Sequence, residues 1–221
     1  ADQLAFMLNN QPVTYFGAPP SANVPKQITI GAQSKASPFT LSIEDLQLWD
    51  LDNLSASTSP EPDLDFLAYR SPDLEDAFET IAPSWQITAG ASGVDNGQLL
   101  LVTNADGLAR LEHPALSTSD FQLQYDFQVL SQGSDQAIVS LEFRITELSK
   151  YVFSVSFEPD QARWDLSSND WDEVSTNLAG GALPDLDADA IHQVRLGASG
   201  SQFWIYLDDS VLTFLTDNDT T

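Results

Sequence analysis

Trp164 and Trp171 flank the stretch Asp165, Ser167, Ser168, Asn169, Asp170 and Asp172, which brings two ingredients of sugar recognition together. An indole ring stacks on the apolar face of a pyranose, and carboxylates and amides hydrogen-bond its hydroxyls. Trp164, Asn169, Asp170, Trp171 and Asp172 are therefore a candidate carbohydrate-binding set. The competing role is structural, with Trp164 in a core and Trp171 over a hairpin tip. Acid/base catalysis suits the group poorly, because Asp170, Asp172 and Glu173 fall on a turn, which does not hold carboxylates rigidly. His113 precedes Pro114, and His192 opens a strand. With two histidines in all and no serine in a nucleophile-elbow context, neither a hydrolytic triad nor a transition-metal site is indicated.

Composition sets the surroundings of these residues. The chain has 221 residues, 42% of them apolar, enough for a large buried core. Eight basic residues stand against 33 acidic ones, a net charge of −25. That balance excludes nucleic acid and anionic membrane surfaces as partners, since both attract positive patches. The acids are spread along the chain, as on the solvated surface of an exported protein. Such a surface also offers oxygen ligands to a hard cation, so calcium (Ca2+) is the cofactor to test. With no cysteine and one methionine, disulfides and thiolate metal sites are ruled out, which suits a bacterial surface protein better than a small stapled domain. No run of eighteen apolar residues and no signal peptide is present, so no direct membrane insertion is expected of this segment. An extracellular, cell-surface location is inferred from composition.

Period-two alternation runs through nearly the whole chain and long helical periodicity is absent, so the class is all-β. The strands expected are 4–8, 13–16, 27–30, 39–49, 85–88, 98–102, 109–112, 121–129, 136–146, 150–157, 161–166, 191–198, 202–207 and 210–215, punctuated by Gly, Asp, Asn and Pro. FQLQYDFQV alternates most cleanly, with Phe121, Leu123, Tyr125, Phe127 and Val129 on a core face and Gln122, Gln124, Asp126 and Gln128 on the other. Residues 55–73, rich in proline, serine and acids, read as a linker in which Phe66, Leu67 and Tyr69 are apolar enough to dock. A helical turn is expected at most at Leu74–Phe78.

The ends of the chain echo one another. QLAFMLNNQPVTYF (3–16) aligns without a gap on QFWIYLDDSVLTFL (202–215), 199 positions later, each a strand, a two-residue Asn/Asp turn and a second strand. On this reading residues 1–54 are the terminal strands of a preceding, or strand-donating, sandwich module. Residues 74–221 then form a second module that lacks its last two strands. A sheet missing two strands exposes edge amides and an apolar face, which another segment must cover. Three sources are open: a following repeat, residues 26–50 of a neighbouring subunit, or the same segment folding back within its own chain. The residues that would enter the gap are Gln27, Ile28, Ile30, Phe39, Leu41, Ile43, Leu46, Leu48 and Trp49.

The order of Asp76-Ala77-Phe78, GQLLLVT, FQLQYDFQV, LEFRITELSKYVFSVSF, QARWDLSSNDWDEV, HQVRLGASGSQFWIYLDD and FTLSIEDLQLWDL resembles the concanavalin A-like lectin/glucanase superfamily. It is similar to the jelly-roll modules of bacterial surface proteins, akin to laminarinase-type and keto-disaccharide-hydrolase-like domains. The likeness spans 76–221 for one module and 1–54 for the end of another. It implies a two-sheet antiparallel jelly-roll sandwich with first and last strands adjacent. That adjacency would gather Asp50 and Asp52 with Glu75 and Asp76 as a candidate calcium site, although no EF-hand loop is present. Laminarinase-type members hydrolyse with an E-x-D-x-E strand, and this chain has none: Glu142 and Glu147 are too far apart, and Glu75, Asp76 and Glu79 sit at a module start. The expectation is thus a non-catalytic structural protein whose sandwiches assemble head to tail with copies of themselves into a surface filament, stalk or sheath. A carbohydrate-binding module, with extracellular polysaccharide as partner, is the alternative, and a glycoside hydrolase-like enzyme comes third.

Overall fold

The computed structural model describes residues 5–8, 11–14, 28–34, 38–51, 71–81, 84–113, 120–131, 136–145, 149–170 and 175–217. The strands in chain order are β1 (Ala5–Leu8), β2 (Gln11–Thr14), β3 (Ile28–Ser34), β4 (Thr40–Asp50), β5 (Leu74–Asp76), β6 (Gln86–Ala89), β7 (Ala91–Asp95), β8 (Gln98–Val102) and β9 (Leu108–Glu112). They continue with β10 (Phe121–Ser131), β11 (Ala137–Phe143), β12 (Ser149–Phe157), β13 (Ala162–Asp170), β14 (Ser175–Leu183), β15 (His192–Ser199), β16 (Gln202–Leu207) and β17 (Ser210–Thr216). No helix occurs among the described residues, so none there is long and apolar enough to cross a membrane.

Two antiparallel sheets form a sandwich, the expected fold class. One runs β17-β16-β15-β10-β4-β8-β7, with β5 also on β4; the other runs β14-β13-β12-β11-β3-β9-β6. Their inner faces share one core. Alternation builds it: Phe121, Leu123, Tyr125, Phe127 and Val129 of β10 face Ala137, Val139, Leu141 and Phe143 of β11 and Tyr151, Phe153, Val155 and Phe157 of β12, all buried. Phe143 meets Phe121 and Phe203 edge-on and stacks on Tyr151.

Into and along β4 the apolar positions run Phe39, Leu41, Ile43 and then Leu46, Leu48, a break in period two. The fold absorbs it with a bulge: Gln47 pairs with Gln124, Glu44 pairs with Asp126, and Asp45 takes φ 46°. All five apolar side chains thereby reach the same core.

The strands expected to close a preceding or donating module lie in the middle of this sandwich. β3 sits between β11 and β9, and β4 between β10 and β8. Of the three possible sources, the chain's own segment occupies the slot in this structure. The helical turn expected at Leu74–Phe78 is a correction: Leu74–Asp76 is a strand, held to Leu46–Leu48 of β4. Two strands join those expected, Ala91–Asp95 and Ser175–Leu183. The hairpin β1–β2 forms its own two-stranded sheet.

Candidate functional site

The residues with the clearest placement are those expected to fill the incomplete module. Ile28, Ile30, Leu41, Ile43 and Leu46 are fully buried, Phe39 and Leu48 nearly so, and Trp49 is buried too. Gln27 lies outside the described residues. Alternation sends Ile28 and Ile30 of β3 inward, opposite Phe143 and Leu141 on β11, with Ile30 also opposite Leu111 on β9. Leu41 and Ile43 meet Val129 and Phe127 on one side and Leu101 and Leu99 on the other. Burying such a side chain contributes roughly 1.5–3 kcal/mol. The segment also completes the main-chain hydrogen bonding of four flanking strands. Without it both sheets are split through their centres, and a row of buried amides and carbonyls loses its partners.

The polar surface over β3 explains why this strand fits where it does. Arg110 on β9 reaches across β3 to Glu142 on β11, and Glu142 also takes a 2.8 Å bond from Lys150 on β12. Gly31, paired with both Arg110 and Ser140, leaves the space: a Cβ there would meet Ser140 Oγ at 2.9 Å. Glu142 is thus tied between two cations on a sheet face, a stabilising arrangement, and Glu147 lies outside the described residues.

The candidate calcium ligands divide. β4 and β5 are adjacent, as the resemblance implies, with Leu46 opposite Asp76 and Gln47 opposite Glu75. Yet both carboxylate oxygens of Asp76 serve the fold: Oδ1 accepts the Phe78 amide at 2.8 Å and Oδ2 accepts the Trp85 indole N–H at 2.6 Å. Glu75 accepts from the Gln47 side chain at 3.3 Å. The Asp50 side chain and all of Asp52 lie outside what the structure describes. Among the described residues no group of three or more potential ligands gathers.

Of the carbohydrate set, the structure describes the side chains of Trp164 and Asn169. Trp164 points into the core, 9% exposed, with its indole over Gly181, where a Cβ would approach Nε1 to 2.9 Å. A ring so placed does not offer its face to a sugar. Asn169 is partly buried, and its side-chain oxygen has no hydrogen-bond partner. Trp171 and Asp172 lie outside the described residues, as does the side chain of Asp170. On the same sheet face Asp165 accepts from Asn177, and burial raises its pKa against the opposing bonds from Ser167 and Asn177.

On the outer face of the other sheet the sequence reading missed Trp204 and Tyr206. Trp204 and Tyr206 point away from the core, opposite Phe203, Ile205 and Leu207, which point in. Trp204 lies over Gly197 and donates to Gln122 at 3.4 Å; Arg195 stacks on Tyr206 at 4.4 Å. The unbroken apolar run FWIYL was the signal, since a strand with one wet face alternates. His192 bonds Asp208 at 2.7 Å and the Asp187 carbonyl at 2.6 Å, and stacks with Phe157, so it ties a loop to the core. His113 packs edge-on against Trp85. No family model matches the chain, and no curated protein or solved structure matches it either.

Proposed function

We propose that this chain is a non-catalytic structural protein of the cell exterior, whose β-sandwich modules join head to tail with copies of themselves in a filament, stalk or sheath. One observation carries the reading. Leu8 pairs with Gln11 and Met7 with Pro12 in the hairpin β1–β2, while 199 positions later Leu207 pairs with Ser210 and Tyr206 with Val211 across the same two-residue gap. β16–β17 is the edge hairpin of the sandwich; β1–β2 has the same two pairs next to its turn, without the register shift of β16–β17, and lies in a sheet of its own. A hairpin of that kind belongs to a second sandwich, so modules repeat. The acidic, cysteine-free composition supports an extracellular setting.

Sedimentation or light scattering over a wide concentration range tests this. The expected result is a weight-average mass that climbs past several chains with no plateau, because heterologous head-to-tail contacts do not close. A mass fixed at one chain throughout would overturn it.

A further inference from the structure

We propose that Lys150 and Asn169 are a modification site, at which the two side chains join in an amide bond with Glu142 carrying the protons. The bond ties β12 to β13 within one chain. It does not depend on the head-to-tail reading above, since every residue involved lies in a single sandwich.

The three side chains share the outer face of one sheet. Tyr151, Phe153, Val155 and Phe157 of β12 point into the core, so alternation turns Lys150 and Val152 outward. The register sets Lys150 opposite Asn169 on β13 and Val152 opposite Glu142 on β11. Directly opposed residues hold their Cβ atoms about 4.5–5.5 Å apart, a gap that a lysine stem bridges. Glu142 is the diagonal neighbour, and its Oε1 accepts from Lys150 Nζ at 2.8 Å. The other oxygen, Oε2, accepts from Arg110, which holds the carboxylate with Oε1 toward the amine. The side chains of Lys150 and Glu142 are only 20% and 16% exposed, so water competes poorly for either. Across the strand pair from this amine, Asn169 Oδ1 is buried without a hydrogen-bond partner. An orphaned buried carbonyl calls for an explanation. Here it belongs to the one group opposite Lys150 that an amine can acylate itself on, and the sheet supplies the proximity that a bimolecular reaction lacks. The step balances without a co-reactant. Glu142 Oε1 takes one proton from the Lys150 ammonium, and the freed lone pair attacks Cγ of Asn169. The same carboxylate then relays a second proton from Nζ to Nδ2. The Nζ–Cγ bond forms, the Cγ–Nδ2 bond breaks, and nitrogen leaves as ammonia, which takes up the first proton. Nothing is oxidised or reduced, and the chain gives up one ammonium ion.

Intact-mass spectrometry of the folded 221-residue chain, denatured for the measurement, reads the bond directly. The expected mass is that of the sequence less one ammonia, and digestion should release a branched peptide joining Lys150 to Asn169. The chain has three lysines, Lys26, Lys35 and Lys150, so the branch point is assigned without ambiguity. Lys150→Arg and Asn169→Ala should each restore the full mass. Glu142→Gln should restore it with both reacting residues still in place, while circular dichroism shows the strands retained; if that variant does not fold, Glu142→Asp keeps a carboxylate on a shorter arm and should leave the bond incompletely formed. The full sequence mass in the folded natural chain overturns the proposal. So does an ammonia loss that persists in Lys150→Arg, because Asn96-Gly97 loses the same mass on closing to a succinimide. A bond that forms as completely in Glu142→Gln as in the natural chain overturns the proton-carrying role.

Discussion

Gly197 on β15 has no room for a side chain, because a Cβ there would fall 1.9 Å from the Trp204 indole. Gly197→Ala should therefore evict Trp204 from its seat beside Gln122, lowering stability by about 2 kcal/mol or more and shifting the tryptophan emission to the red; an unchanged spectrum would refute this packing. Asp76 is the second residue with a specific role. Asp76→Ala removes the acceptor for both the Trp85 indole and the Phe78 amide. Leaving a buried donor unpaired costs about 1–3 kcal/mol, so the melting temperature should fall by several degrees, equally with calcium and with chelator. A calcium-dependent difference would restore the metal role expected from the sequence. Two groups give opposite pH signatures. Burial lowers the pKa of His113 from 6.5, against a smaller pull from Asp76, so the folded state disfavours its proton. The unfolded chain binds that proton first, and the His113 contribution is lost as pH falls below about 6.5. Relative to the natural chain, His113→Gln should lose less stability across that range. Asp126 is raised, chiefly by burial and further by Asp45 and Asp208, against the bond from Gln193. Its contribution is full in acid and is lost as pH rises through the folded pKa, so Asp126→Asn should stabilise at neutral pH and gain nothing at low pH.

At the scale of elements, the segment 28–50 decides whether there is a sandwich. Deleting residues 1–54 should leave an unfolded or insoluble remainder, and a peptide covering 26–50 should rescue it; circular dichroism of a folded, soluble deletion product would contradict the account. The bulge in β4 makes a finer case. Asp45 at positive φ costs little as Asp or Gly, whereas Asp45→Val should cost about 1–2 kcal/mol. How much of this was legible follows from what alternation reports, which is the face a side chain takes and not its neighbours. Leu41, Ile43, Leu46 and Leu48 were readable as core. Their place between β10 and β8 was not, because sequence distance placed them nearer to β1–β2 than to β10. β7 was readable in principle, since Asn96-Gly97, both at positive φ, is a strong hairpin signal. β14 was not: Gly180 and Gly181 carry no alternation, and Gly181 is there to make room for Trp164. Leu74–Asp76 is too short to show a period at all. Of the candidate sites, the buried role of Trp164 belonged to the structural alternative.

At the scale of the whole molecule, charge and assembly oppose each other. A net charge of −25 repels copies of the chain, and salt screens that repulsion with a length of about 10 Å at 0.1 M. Association should therefore strengthen as ionic strength rises, the reverse of a contact made by opposite charges. The sandwich fills its own core, with residues 28–50 of the same chain in the slot. Negative-stain electron microscopy of the concentrated 221-residue chain in moderate salt addresses the central claim most directly. The account predicts long, regular, unbranched fibres built from one sandwich per repeat. A uniform field of single globular particles under the same conditions would contradict it.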